Sequence, residues 1–241
     1  MENKVLEVLK NRKSVRAFTD EEISAEIKDA ILGAAMRAPT AGNMQLYSII
    51  DVTDQDLKEK LAVSCDNQPF IAKAKMVLVF CADYHRWVRK FKLSDCEDVP
   101  APELSDLVLS TNDAVIAAHA ACVAAESFGI GSCYIGDIIE NFEKVKELLN
   151  IPEHVAPVSM LVFGYPTEQQ KNRAQLKRLP KESVVFENSY RELSEEELMG
   201  ASPYESTKEK VKALYTRKYV SKFAKEMVRS VKVIYDNWHQ K

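Results

Sequence analysis

Residues 105–127, SDLVLSTNDAVIAAHAACVAAES, followed at once by FGIGSCYIGD over 128–137, decide the reading of the fold. Leu107, Val108, Ala114, Val115, Ala118, Ala121, Cys122 and Ala125 recur at helical spacing among many alanines and few charges. Small side chains at that period predict a central helix packed closely on more than one side. His119 lies inside it with no second metal-binding residue one turn away, so it reads as a satisfied core histidine. Gly129 supplies the left-handed stop that ends helices, and residues 131–137 follow as a short strand or a turn that exposes backbone. The glycines at 129 and 131 follow a helix and open none, which makes them a helix stop rather than a phosphate cradle.

Working outward, the continuous apolar run 76–82 and the run 155–163 read as strands buried on both faces, and 47–52 as a third strand. Thr19 and Glu22 have capping-box spacing and Ser24 is a second possible cap; Ile27, Ala30, Ile31, Ala34 and Ala35 then predict a helix to about Arg37. Pro39 and Gly42 break it into a small polar loop over 38–45. Further helices are expected at 57–63 and over Phe142, Val145, Leu148 and Leu149, the latter ending before Pro152. Helices and strands alternate, with helices supplying most of the mass: an α+β, three-layer α/β/α sheet fold. Beyond Pro203, the residues Val211, Leu214, Tyr215, Tyr219, Phe223, Met227, Val231, Ile234, Tyr235 and Trp238 form a helical stripe among lysines. That predicts a domain over 1–203 and a C-terminal helical extension over 204–241, docked on its own domain as a lid or embracing a neighbouring subunit.

Composition removes several classes of function. At 241 residues the chain can bury one sizeable core, and its net charge of -3, with acids and bases interspersed, argues against nucleic acid as a partner. Met1-Glu2-Asn3-Lys4 carries no secretory apolar stretch, no segment reads as a bilayer span, and a cytoplasmic protein is expected. Five cysteines and four histidines are scattered without a C-x-x-C pair or an H-x-x-x-H pair, so no metal site is expected. The G-x-G-x-x-G, G-x-x-x-x-G-K-[ST] and G-x-S-x-G patterns are missing, which leaves no indicated Rossmann site, P-loop or serine nucleophile.

What remains is basic and local. Arg12, Lys13, Ser14 and Arg16 follow the amphipathic Val5, Leu6, Val8 and Leu9, and offer fork donors, a point charge and a hydroxyl of the kind a phosphate or developing oxyanion needs. A second basic stretch, Lys171, Asn172, Arg173, Lys177 and Arg178, is expected to converge with the first on one phosphate.

These motifs, in order, resemble one family. Arg12-Lys13-Ser14-Val15-Arg16-Ala17-Phe18, Ala38-Pro39-Thr40-Ala41-Gly42-Asn43-Met44-Gln45, Asn67-Gln68-Pro69, the 129–136 stretch and Gly164-Tyr165-Pro166 stand in the order and approximate spacing of the nitroreductase (flavin reductase) family. The longer, NADPH-preferring oxygen-insensitive subgroup is the most similar. The resemblance implies a homodimer with an FMN at each of two interface sites, and NADPH or NADH as co-substrate. It implies that Arg12, Lys13, Ser14 and Arg16 bind the FMN phosphate, ribityl chain and N1/O2 edge, with Arg16 at that edge, where a guanidinium offsets the negative charge left by hydride arrival at N5. Gln68 would face the pyrimidine, Tyr134, Ile135, Gly136 and Asp137 would pass along the isoalloxazine edge, and Asn43 and Gln45 would reach it from the other subunit. Arg178 corresponds to a late phosphate-binding arginine; many members carry Lys-Pro-Arg there, whereas this chain has Lys171-Asn172-Arg173 and Lys177-Arg178, so both Arg173 and Arg178 are candidates. The activity implied is ping-pong transfer of a hydride from NAD(P)H through the flavin to a nitroaromatic, a quinone or free flavin. Other flavin chemistry on the same fold, such as dehalogenation or dehydrogenation, and a non-catalytic FMN-binding sensor are the alternatives.

Overall fold

Side-chain caps set where the first helices begin. In the computed structural model, which describes residues 3–202 and 207–240, Asn3 accepts the Val5 and Leu6 N–H groups and opens α1 (Lys4–Asn11). Ser24 Oγ accepts from Ile27 N and opens α2 (Ala25–Met36), while Thr19 takes up the Glu21 N–H at 3.4 Å and caps nothing. Of the two possible caps, the serine adjacent to the apolar period is used. There follow β1 (Tyr47–Asp51), α3 (Gln55–Ser64), β2 (Met76–Asp83), α4 (His85–Leu93), α5 (Leu104–Ser127), β3 (Gly131–Ile135), α6 (Phe142–Leu149), β4 (Val155–Gly164) and the short α7 (Glu168–Lys171).

The strands form one antiparallel sheet in the order β1-β2-β4-β3. Alternation along β2 sends Val77, Val79 and Cys81 to one face, against Leu61, Ile71 and Val145 from the α3 and α6 side. Met76, Leu78 and Phe80 go to the other, against Ile31 and Ala35 of α2 and Ala114, Ala118 and Ala121 of α5. Both faces are covered, which is the expected three-layer arrangement, and it explains why every residue of β2 is buried. Register shifts between Phe80 and Cys81 opposite Pro157. A proline has no N–H for the ladder, and this one lies beyond the stretch of β4 that β3 pairs.

α5 ends as its sequence predicts. Phe128 caps it, Gly129 takes φ +74°, and Ile130 N–H reaches back to Ala125 O at 3.0 Å. Its packing differs from expectation. Ser110, Asp113, Ala114, Ala117, Ala118, Ala121, Cys122 and Ala125 are buried, but Leu104, Val108, Leu109, Val115 and Ile116 are exposed on the other side, and so is His119. The histidine is therefore a surface residue and the helix is embedded on one face only. An alanine-rich period marks close approach by the sheet and says nothing about the opposite face. Contrary to the sequence expectation, Leu104–Ser127 is long and apolar enough by length and composition to cross a membrane; its buried alanine face packs on α2 and the sheet, as a core helix does. α1, whose Val5, Leu6 and Leu9 are also exposed, packs on α5.

The described chain divides into two compact units, the first made of residues up to 172 together with those from 226 on, the second of 173–225. In the second, α8 (Glu195–Gly200) carries a Ser194/Glu197 capping box, α9 (Lys208–Tyr215) starts at Thr207, and a wider turn over Thr216–Val220 stacks Tyr215 on Tyr219 with ring centroids 5.9 Å apart. Val211, Leu214, Tyr215 and Tyr219 are exposed. α10 (Lys222–Trp238) begins in that unit and finishes in the first. The expected boundary at 203/204 lies outside the described residues.

The end of α10 is anchored in its own domain. Ile234 and Trp238 pack with Ala82, Phe142 and Ala156, and Trp238 is fully buried. The indole N–H donates to Glu103 O at 3.2 Å, so burying the ring leaves no unpaired donor. Asn237 Nδ2 donates to the carbonyls of Pro152 and Val155 at 3.2 and 3.3 Å, and Arg229 bridges Glu143 and Glu226.

Candidate functional site

The basic run at 12–16 is not a helix face. After the C-cap Arg12 the chain is extended and lies along the outer edge of β3, where Ser14 bridges Ser132 and Val15 N–H donates to Ser132 O at 2.9 Å. Two glycines permit this approach. A Cβ on Gly131 would sit 2.5 Å from Val15 Cγ2, and one on Gly164 would sit 2.7 Å from Phe18 Cγ. Extended backbone alternates its side chains, so Val15 is buried while Arg16 is exposed and Ser14 half-buried beside it. The carbonyl end of α1 has the dipole sign that repels anions, so any anion held here is held by side chains.

The segment over 165–171 braces the run from behind. Thr19 N–H donates to Tyr165 O at 2.8 Å, Arg16 N–H to Gln170 Oε1 at 3.3 Å, and Lys13 Nζ to Lys171 O at 2.5 Å. Arg12 Nη1 lies 3.9 Å from Cys122 Sγ, which is 3.1 Å from Ser132 Oγ. Burial raises the Glu126 carboxyl, with Arg12 and Lys13 pulling it back, and burial raises the Tyr134 phenol further, so that it stays neutral. Cys122, Glu126 and Gln170 were not anticipated; only the C-terminal turn of the alanine helix brings the first two here, and no local pattern marks them.

β3 then delivers Tyr134 and Ile135 to a tight turn over Gly136–Ile139. Ile135 is buried, Tyr134 half-buried, and Gly136 exposed with nothing within 4 Å of the place a Cβ would take. Gln68 comes to the same turn. Asp66 and Asn67 take left-handed φ of 57° and 51°, which swings Gln68 so that its Nε2 donates to Asp137 Oδ2 at 2.7 Å and to Cys65 O at 2.9 Å. Phe70, two residues on, has the Arg16 guanidinium 6.0 Å from its ring centroid. At the end of the turn is Glu140, 8% exposed, with Oε2 buried and without a hydrogen-bond partner among the described residues. Burial, then the carboxylates of Asp137, Asp66 and Glu226, push its carboxyl up to about 6.

Asn43 and Gln45 lie elsewhere. Their loop precedes β1, the opposite edge strand, and is held by α5 and α4: Asp113, buried, accepts from Thr40 Oγ1, from Ala41 N at 3.0 Å and from Leu46 N at 3.1 Å. Arg86 Nη2 donates to the Gln45 and Tyr47 carbonyls at 3.1 and 2.5 Å, and Trp87 Nε1 to Met44 O at 2.9 Å. Asn43 and Gln45, both exposed, take φ of 56° and 51° within this clamp. Arg173 and Arg178, both exposed, belong to the second unit. One chain therefore brings Arg12, Lys13, Ser14, Arg16, Gln68 and 134–137 to the β3 edge, and leaves Asn43 and Gln45 at the β1 edge.

The β3 edge suits a phosphate-bearing planar group such as FMN. Two guanidiniums, an ammonium and a hydroxyl supply donors, and Gly136 leaves its backbone open to close approach from a flat ring.

Comparison with known proteins bears on the same residues. The family model described as the nitroreductase family matches residues 9–165. The FMN reductase (NADPH) of Bacillus subtilis is 38% identical over 192 residues, covering 78% of this chain and 75% of its own length. The oxygen-insensitive NADPH nitroreductase of Salmonella typhimurium is 38% identical over 190 residues, covering 79% and 76%. Among solved structures, the NADPH:FMN oxidoreductase of Vibrio harveyi complexed with NAD+ superposes with a TM-score of 0.79 at 28% identity, over 97% of this chain and 98% of that one. B. megaterium NfrA2 gives a TM-score of 0.80 at 32% identity, over 95% and 98%.

Proposed function

The chain belongs to the nitroreductase family, and from that premise we propose that it is an FMN-dependent oxidoreductase passing electrons from NAD(P)H to small planar acceptors. The single observation that carries this is the Ser14–Ser132 bridge, which lays Arg12, Lys13, Ser14 and Arg16 beside the open Gly136 turn. FMN, when bound, supplies the chemistry of accepting a hydride from NAD(P)H and returning it to an acceptor. Arg12, Lys13 and Ser14 hold the phosphate and ribityl chain. Arg16 sits at the N1/O2 edge, where its guanidinium stabilises negative charge, and Gln68, oriented by Asp137, faces the pyrimidine. Tyr134, Ile135, Gly136 and Asp137 pass along the ring edge. The acceptors consistent with a flat, stacked site are nitroaromatics, quinones and free flavin.

The site is shared by two subunits in this reading. Asn43 and Gln45 belong to an edge of the sheet remote from Arg16 in one chain, so only a second copy brings that loop to the flavin. The exposed stripe Leu104, Val108, Val115 and Ile116 of α5, with Val5, Leu6 and Leu9 of α1, is an apolar face of the kind a homodimer buries. The helical extension over 204–241 is part of the same proposal as a dimer arm or lid, with residues 226–240 anchored at home.

The test is the absorbance spectrum of the purified protein before and after anaerobic NADPH. Flavin bands that bleach on addition support the reading. A protein that takes up no FMN on reconstitution overturns it, and flavin reduced by neither NADPH nor NADH favours a binding role without turnover.

A further inference from the structure

Glu140, at the end of the turn after β3, feels the charge of three other carboxylates: Asp137 within the turn, Asp66 just past α3 and Glu226 from the first-unit part of α10. Asp137 accepts from Gln68, and Glu226 is paired with Arg229, which also serves Glu143. Cys65, buried beside them, carries a thiol that burial and the Asp137 and Glu140 carboxylates push up to about 12, so it brings no charge. Glu140 is the exception. More than nine-tenths buried, it has an oxygen that no donor among the described residues reaches, while its backbone N–H donates to Asp137 O at 3.0 Å and locks the two residues into one turn.

We propose that Glu140 is a positioning residue for electron transfer that takes up a proton when the flavin beside Asp137 is reduced and releases it when the acceptor removes the electrons. This rests on the reading that Gly136 and Asp137 line the flavin. The balance is simple: a C–H bond of NAD(P)H breaks and its hydride would pass to bound FMN, leaving NAD(P)+; a solvent proton forms one O–H bond on the Glu140 carboxylate; and when the acceptor takes the two electrons, that proton returns to solvent. The driving force is the one already acting on Glu140. Each neighbouring negative charge holds its proton more tightly, and reduction brings another within the same turn. Burial and the facing carboxylates already push the carboxyl up to about 6, and a further negative charge raises it again, so over the interval between the two reduction binds one proton more than the flavin itself takes. Through the shared turn, the same change acts on the Asp137–Gln68 pair that faces the ring.

The experiment is the midpoint potential of the FMN-loaded protein measured against pH from 5 to 9. Wild type is expected to show a steeper slope, by one proton per two electrons, over the interval above about pH 6. Glu140→Gln should lose that steeper region and keep FMN, and Asp66→Asn should move its onset to lower pH by removing one facing carboxylate. Asp66 is exposed and left-handed, a conformation asparagine takes readily, so the second variant folds even where the first does not. A steeper region that persists unchanged in Glu140→Gln, or is unmoved in Asp66→Asn, overturns the proposal while leaving the flavoprotein reading intact. Failure to bind FMN at all overturns both.

Discussion

Arg16 and Glu140 show how single residues at this edge differ in what they can be made to report. Arg16 is exposed; its backbone is braced by Gln170 and its guanidinium meets only the half-buried Phe70 ring among the described residues, so the fold asks little of its charge. Arg16→Ala should leave melting near wild type but weaken FMN binding by roughly 10- to 150-fold, the loss of one charge-assisted contact of about 1.5–3 kcal/mol, read by flavin titration. Glu140 behaves in the opposite way. Its folded carboxyl titrates near 6 against an ordinary 4.5, so the folded state holds a proton that the unfolded chain releases first. The stability this confers is complete below about 4.5 and lost as pH rises through 6, about 2 kcal/mol in all. Glu140→Gln should therefore melt higher than wild type at pH 7.5 and converge with it at pH 4.5; parallel curves across that range would remove the effect. Gly131→Ala places a methyl 2.5 Å from Val15 and should cost about 1–3 kcal/mol, together with a loss of FMN affinity as the basic run lifts off β3. Circular dichroism melts and flavin titration on the same sample separate the two effects.

Among the elements, α5 carries the most weight for assembly. It supplies the alanine face on which the sheet packs and Asp113, which satisfies three donors of the Thr40–Leu46 loop, while its other side stays apolar and exposed. Replacing Val108 and Ile116 together by lysine leaves that buried face untouched and should yield a folded monomer that loses FMN, seen by sedimentation and by flavin absorbance. A flavin-loaded monomer would sink the two-subunit site. The alanine period was legible in the sequence because small residues at 3.6 spacing have one packing use; the bare face was not, since valine and isoleucine read alike whether they meet a core or a second copy. For the same reason His119 was misplaced. α4 escaped notice although Trp87, Val88 and Phe91 stand at helical spacing, because four of its nine residues are lysine or arginine and mask so short a period; its work, holding the loop, is done by Arg86 and Trp87.

At the scale of the molecule, three of the four strands and the three layers were legible, because buried strands are local patterns; β3 reads equally as a strand or a turn, the donor-rich run 12–16 shows only as a run, and Gln68 and 134–137 come only with the family resemblance. The long-range arrangement was not. Nothing within residues 12–16 says that they lie flat along an edge strand rather than on a helix, since that depends on two glycines more than a hundred positions away. The tail stripe was read as one element with one fate, yet its exposed part, Val211 to Tyr219, and its buried part, Ile234 and Trp238, have different surroundings. Deleting 226–240 would uncover Phe142, Ala82 and Ala156 and leave Glu143 without Arg229. That deletion should abolish cooperative unfolding, whereas Trp238→Ala alone should cost about 3–5 kcal/mol.

The fully buried Trp238 also bears on biosynthesis. The pocket it fills is framed by residues made long before it, on β2, α6 and β4, and stays an open apolar cleft until 226–240 emerge from the ribosome. A nascent chain therefore carries a sticky, unfinished core until that segment is made, and a chain stopped before it would be a substrate for chaperones and proteases. Closure of this part of the core therefore waits on a segment some seventy positions beyond the last residue that frames it.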